Sequence, residues 1–313
     1  RDAQSIVDQY LALEPEVLLG GGRDFFLPKA AGGKRRDGKD ILAAFAAKGY
    51  AVLRDPQQLR ESKAAKVVGL FSDKYLGLEI DSNPAQEPTV ADMTRAALQA
   101  LASNSESGDK KGFVRFVESE NTDEAGHKND IAALIRALWA FDDAVAVALE
   151  FQASNPDTLV IVTADHETGG LSATSARNEV DRNSYPVIVG PKEFEKVMRI
   201  DASLDAVAAR LGARPSPVLL DALVAKHFPG FTLDADLREA ILKQRPLERN
   251  FSISVQIALA RMISRQTGFY WGTSGHTAEP VAVGAIGPDA QVFRGYADNT
   301  EFGKRLLRLI DGR

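Results

Sequence analysis

The chain of 313 residues contains no cysteine. Thiolate zinc sites, disulfide staples and thiol catalysis are therefore excluded, although the compartment stays open, because disulfide-free proteins occur on both sides of a membrane. No apolar run in the sequence approaches the ~20 residues that a helix needs to span a bilayer. Net positive charge is also lacking: 38 Lys and Arg against 43 Asp and Glu leave −5, with a pI near 5.6. That balance offers no electrostatic case for nucleic acid or an anionic membrane surface. There is no signal-peptide pattern, and the first residue is Arg1 rather than Met, which is read as the loss of an amino-terminal portion. Internal repeats and long low-complexity stretches are missing too. Histidine is scarce, with four in the chain, so the places where it does occur carry information.

A hydrophobic fraction of 44% and a charged fraction of 26% are ordinary for a globular chain, and the length allows one large α/β domain or a domain with an insertion. Apolar runs ending in turn signals read as buried strands of a mostly parallel sheet: Val17 to Gly22, Val67 to Phe71, Gly112 to Val117, Thr158 to Thr163 and Val281 to Ile286. Thr158 to Thr163 is the strongest of these. Between them, Thr89 to Leu101 and Asn129 to Phe151 have helical spacing and good helix formers. The alternation predicts an α/β fold, a three-layer sandwich with a mostly parallel central sheet flanked by helices. Residues 182–270 break the alternation. They carry helical patterns at Leu204 to Leu211, Pro217 to His227, Asp236 to Lys243 and Ser252 to Ser264, and read as a mainly helical insertion. The expected division is thus 1–181 for the α/β core, 182–270 for the insertion and 271–313 for the return to the core, closing on an amphipathic helix from Thr300 to Ile310.

Three of the four histidines stand beside carboxylates. In Glu118-Ser-Glu-Asn-Thr-Asp123-Glu-Ala-Gly-His127, the predicted strand releases Glu118 at its carboxyl end, where ligand sites of α/β folds form. Asp123 and His127 are four residues apart and share one face of a helical turn, so both can chelate one ion. In Thr163-Ala-Asp165-His166-Glu-Thr168-Gly-Gly170, adjacent ligands follow the strongest strand, and glycine relieves crowding at the bend. The third motif, Thr273-Ser-Gly-His276-Thr, places His276 in a loop before the last strand. A blander reading exists for each: a solvated acidic turn, a strand-end Asp capping a turn beside a packed His, a lone loop histidine. The count favours metal, because a tetrahedral catalytic zinc takes three protein ligands and keeps an open position, and imidazole with carboxylate suits zinc. His227 has no such company and reads as structural.

Other patterns fail. Gly272-Thr-Ser274-Gly-His276 lacks the final glycine of a nucleophile elbow. Gly20-Gly-Gly22 has no Lys-Ser/Thr after it and is a tight strand-to-loop bend rather than a P-loop. Asp81-Ser-Asn-Pro is a turn, and the charged run from Gly32 to Gly38 is a solvated loop.

Outside the helical insertion, the chain resembles the alkaline phosphatase family. The likeness rests on Val17-Leu-Leu-Gly-Gly-Gly-Arg23, Gly69-Leu-Phe71, Ala91-Asp-Met-Thr-Arg95, Val117-Glu118, Asp123-Glu-Ala-Gly-His127-Lys-Asn-Asp130, Thr163-Ala-Asp-His166 and His276-Thr. The resemblance implies a metal-dependent phosphomonoester hydrolase with two Zn2+ and one Mg2+, acting by in-line phosphoryl transfer through a phosphoserine. It implies Asp123, His127 and His276 as ligands of the first zinc, Asp165 and His166 as ligands of the second, and Glu118 as a ligand of the magnesium. Arg1 falls where the family places the guanidinium that grips two phosphate oxygens. A homodimer and a periplasmic or secreted setting are implied as well. The family's nucleophilic serine, metal-bridging aspartate and magnesium-binding threonine lie upstream of that arginine, so the expectation is that an amino-terminal segment of the same protein supplies them. Two alternatives remain open: a phosphodiesterase, sulfatase or phosphomutase of the same superfamily, and a non-catalytic zinc-binding protein.

Overall fold

The computed structural model describes residues 2–106, 112–176, 186–247 and 254–311. Contacts divide the chain into two units, Arg1–Thr122 with Ala133–Ala144, and Asp123–Ala132 with Val145–Arg313. The first unit runs α1 (Ala3–Leu13), β1 (Val17–Gly20), α2 (Ile41–Ala47), β2 (Ala51–Leu53), α3 (Pro56–Glu61), β3 (Val67–Leu70) and α4 (Val90–Glu106). Its strands form one parallel sheet in the order β1-β3-β2, with Val17 opposite Val67 and Ala51 on the other side of Val67. Side chains of a strand alternate between faces, and both faces here are apolar. Val68 and Leu70 join Val7, Ile41, Leu42, Phe45 and Tyr50 in one core cluster. Val67 joins Val17, Leu53, Leu59, Met93, Ala97 and Leu101 in another. Helices α1 and α2 thus cover one face and α3 and α4 the other, the layered α/β arrangement predicted from the sequence. Each fully buried aliphatic side chain in these clusters is worth roughly 1.5–3 kcal/mol.

Local chemistry sets the helix starts. Asp40 and Asp55 cap α2 and α3, accepting from the backbone N–H of Ala43 and Gln58 at 2.8 Å each, and Pro56 occupies the first turn of α3. The bend after β1 is built on close approach: a Cβ on Gly21 would sit 2.2 Å from the Lys74 carbonyl oxygen.

Two expectations for this unit need correction. The charged run from Gly32 to Gly38 is not simply solvated, because Arg35 is 1% exposed. Its guanidinium donates to Asp37 at 3.0 and 2.6 Å, to Asp8 at 2.7 Å and to the Phe25 carbonyl at 3.1 Å. Residues 112–117 carry no regular secondary structure and pair with no strand among the described residues. Phe113, Arg115 and Val117 are half-buried, whereas Val114 and Phe116 are exposed. The alternation that marks a strand is present, but a ladder also needs a partner for its backbone groups.

α5 (Asn121–His127) and α6 (Ile131–Ser154) contain residues of both units. The second unit continues with β4 (Val160–Val162), β5 (Glu167–Thr168), β6 (Leu171–Ala173), β7 (Ser175–Ala176), β8 (Val187–Ile188), α7 (Pro191–Met198), α8 (Leu204–Leu211), α9 (Pro217–His227), α10 (Ala235–Lys243) and α11 (Ser254–Thr267). It ends with β9 (Phe269–Trp271), β10 (His276–Thr277), β11 (Gly284–Ile286) and α12 (Asn299–Asp311). Its described ladders are antiparallel pairs: β4 with β11, β5 with β10, β6 with β9 and β7 with β8. The strands foreseen at 158–163 and 281–286 are therefore three-residue partners of each other, and neither is buried. Their Val-rich composition fits a buried strand, but a single described pairing leaves their faces half-covered. The helical patterns between 204 and 264 form helices over the described residues, Ser252 and Ile253 lying outside them. α11 packs against α7, α8, α10 and β9, burying Ile257, Leu259, Met262 and Ile263.

Candidate metal centre

α5 holds two of the histidine-motif residues in place. Asn121 donates from its side chain to the Gly77 carbonyl at 3.0 Å, and Thr122 donates to the Ser119 carbonyl at 2.9 Å, which fixes the helix start. Asp123 and Glu124 fall in its first turn and His127 in its last, each on the side favoured by the helix dipole. One helical turn brings Asp123 Oδ2 and His127 Nε2 to 3.2 Å. Asn129 then stops the helix with φ of 56°, a left-handed conformation that Asn tolerates better than most residues. Its side chain donates to the Gly126 carbonyl at 3.0 Å and to the Thr273 carbonyl at 2.8 Å. The same residue thus ends α5 and ties it to the segment carrying His276.

The second and third motifs meet in a short ladder. β5 and β10 pair with Thr168 opposite His276 and Glu167 opposite Thr277, so His276 is a strand residue rather than the loop residue the sequence suggested. Glu167 accepts from the Gly170 backbone N–H at 2.9 Å and from the Thr277 hydroxyl. Gly169 has φ of +97°, and a Cβ there would lie 2.5 Å from the Trp271 ring. No other residue fits that bend without displacing the indole.

These elements bring the donors together. His127 Nδ1 is 2.6 Å from the Ser274 carbonyl oxygen; a carbonyl can only accept, so Nδ1 carries the proton and Nε2 presents a lone pair. That Nε2 lies 3.2 Å from Asp123 Oδ2 and 3.2 Å from His276 Nε2. His276 Nε2 is 3.5 Å from Asp123 Oδ1. His166 stacks on His276 with ring centroids 3.6 Å apart, and its Nε2 is 3.2 Å from Asp165 Oδ2. Donor atoms of Asp123, His166 and His276 also lie within 4.8 Å of one another.

The donor set fits a metal. Ligands about 2.0–2.1 Å from a tetrahedral zinc are about 3.3 Å from each other; the spacings of Asp123, His127 and His276 are of that size, with one Asp123 oxygen toward each histidine. Facing lone pairs at that distance repel unless a cation or a proton lies between them. Asp165, with 87% of its side chain exposed, and the half-exposed His276 leave the cluster open to solvent. Glu118 is exposed and belongs to the first unit, while Arg1 lies outside the described residues. The sequence reading passed over Thr168, whose hydroxyl bonds Asp123 and approaches His166 Nδ1 at 3.2 Å, and Asn129. His227 is structural, as expected: it is buried, bonded to Asp201 at 2.6 Å and to Arg210 at 2.7 Å.

An α/β fold bearing three imidazoles converged on carboxylates falls in the class of α/β proteins equipped to hold metal. The alkaline phosphatase family model matches residues 1–311, and the chain belongs to that family. Alkaline phosphatase 3 of Bacillus subtilis is 29% identical over 297 residues, which are 94% of this chain and 58% of the relative. The cold-active alkaline phosphatase of a psychrophilic Shewanella superposes with a TM-score of 0.76 at 30% identity, covering 99% of this chain and 69% of the other. The Thermus thermophilus alkaline phosphatase gives 0.76 at 30% identity, covering 92% and 60%. The chain therefore spans a little over half the length of the Bacillus relative it matches.

Proposed function

We propose that this chain carries the metal-binding machinery of a phosphomonoester hydrolase. The observation that carries the reading is the approach of Asp123, His127 and His276 donor atoms to 3.2–3.5 Å. In this reading those three hold the first zinc, Asp165 and His166 contribute to the second, and Glu118 serves a magnesium ion. Two zinc ions bound there would supply positive charge and Lewis acidity to the oxygens exchanged in an in-line displacement. The chain's own residues do the rest of the work at the site. Ser274 fixes the His127 tautomer through its carbonyl, Asn129 ties α5 to the His276 segment, and Glu167 pins the Gly-Gly bend, so the donors are held before any ligand arrives. Arg1 is assigned the grip on phosphate oxygens. The phosphoryl-accepting serine is assigned to no residue of this chain. The reading extends to residues 182–270 as an inserted helical part, to a homodimer, and to a periplasmic or secreted setting.

The test is metal analysis followed by turnover. The purified protein should take up about two equivalents of zinc. With the amino-terminal segment that supplies the serine present, hydrolysis of a phosphate monoester, in preference to a diester or a sulfate ester, should vanish on chelation and return with zinc. Uptake of no zinc, or hydrolysis indifferent to chelator, would overturn the reading.

A further inference from the structure

Thr168 stands at the junction of the two halves of the donor set. Its hydroxyl bonds Asp123 Oδ1, a member of the first zinc triad, and lies 3.2 Å from His166 Nδ1, a member of the second pair. Its backbone is in register with His276 across the β5–β10 ladder. Gly126 makes this approach possible. A Cβ at Gly126 would fall 2.8 Å from the Thr168 carbonyl oxygen and 3.0 Å from the Thr168 side chain, so any larger residue would push α5 and Asp123 away.

A hydroxyl has one proton and two lone pairs. The Asp123 carboxylate can only accept, so the Thr168 proton goes to Asp123, and the oxygen must then accept from His166 Nδ1–H. That sequence of bonds puts a proton on His166 Nδ1 and turns Nε2 toward Asp165 at 3.2 Å. The two bonds depend on each other, because the proton spent on Asp123 is what makes the oxygen an acceptor for His166.

We propose that Thr168 is a positioning residue that couples the two zinc half-sites, setting the orientation of Asp123 and the tautomer of His166 through one hydroxyl. The inference rests on the ligand assignment proposed above. It distinguishes Thr168 from Ser274 and Asn129, each of which acts on the first half-site alone.

The experiment compares wild type, Thr168→Val and Thr168→Ser in the full chain. Zinc affinities are measured by competition with a chromophoric chelator, and side-chain nitrogen NMR reads the His166 tautomer in metal-free protein. Valine keeps the shape and removes the hydroxyl. It should weaken both zinc equivalents by about 10–100-fold, the range for loss of a partner that orients metal ligands, and should bring up the Nε2–H tautomer of His166. Serine should retain wild-type affinities and the Nδ1–H tautomer. Wild-type affinities in Thr168→Val, loss confined to one equivalent, or serine as weak as valine would each overturn the proposal. If Thr168→Val does not fold, the wild-type tautomer decides: Nδ1–H supports the coupling, and Nε2–H overturns it. A wild-type protein that binds no zinc defeats the ligand assignment instead, while the tautomer still reports on the hydrogen bonds.

Discussion

Two clusters of charged and polar side chains, one in each unit, look alike in composition and differ in their hydrogen-bond accounting. Around Arg35 every short contact runs from a donor to an acceptor: the guanidinium supplies the protons, and Asp8, Asp37 and the Phe25 carbonyl receive them. Around His127 the accounting is open: Nδ1 is committed to Ser274, and Nε2 faces both a carboxylate oxygen and another imidazole nitrogen at 3.2 Å, contacts that need a proton or a cation between them. The first arrangement is complete and stabilises the fold. The second brings more potential acceptors together than its fixed donors can serve, the pattern expected of a place for a cation. Residue type does not separate the two cases, because His227 belongs with Arg35. Its two ring nitrogens are matched to Asp201 and Arg210.

The largest effect should come from breaking the surplus. His127→Ala removes a donor from the triad and should lower the affinity of the first zinc by about 1000-fold, roughly 4 kcal/mol. The rise in melting temperature on adding zinc should shrink with it, while the melting temperature in chelator changes little. A large loss of stability in chelator with zinc binding intact would show that His127 is structural and the contrast with Arg35 false.

Arg35→Ala should do the reverse. It deletes a buried guanidinium and strands the Phe25 carbonyl, while Asp8 and Asp37 remain partly solvated. The expected cost is about 2–3 kcal/mol in urea denaturation, with zinc affinities at wild-type values. His227→Ala should follow the same pattern at about 1–2 kcal/mol, because Asp201 and Arg210 reach water once the ring is gone. A drop in zinc affinity for either variant would break the division between the two kinds of cluster.

The same distinction governs what the sequence revealed. β1 and β3 were legible because burial on both faces leaves a continuous apolar run, and α6 because 24 residues repeat the helical period. β2, three residues long, and the two-residue ladders of the second unit leave no periodic trace. Helices α1, α2, α3 and α7 were not apparent either; α2 and α3 span only seven and six residues. The candidate donors were legible because donor chemistry belongs to the residue itself, so Asp123, His127, Asp165, His166 and His276 could be proposed before any fold was known, and the structure gathers them in one cluster. Thr168 was not, since its role depends on the register with His276 and on the space left by Gly126. Arg35 was missed for a related reason: Gly-rich, charged surroundings resemble a solvated turn, and its partner Asp8 lies 27 residues away.

The smallest expected effect sharpens the Arg35 side of the comparison through pH. The hydrogen-bonded Arg35 guanidinium holds the Asp37 carboxyl down to about 2, from an ordinary 3.8. A carboxyl depressed on folding stabilises the folded state above its unfolded value, and that contribution is lost as pH falls through the folded one. Asp37 should therefore contribute fully above about pH 4 and lose its contribution between 3.8 and about 2. Solvent screening at this partly exposed side chain keeps the effect modest. Urea midpoints of wild type and Asp37→Asn, measured with chelator present, should differ at pH 5 and converge near pH 2. Other paired carboxylates, such as Asp236 with Arg265 and Glu14 with Lys48, titrate in both proteins and cancel in the difference. A gap that persists unchanged to pH 2 would mean that Asp37 acts through packing rather than through its charge, and the donor–acceptor balance assigned to the Arg35 cluster would have to be carried by Asp8 and the Phe25 carbonyl alone.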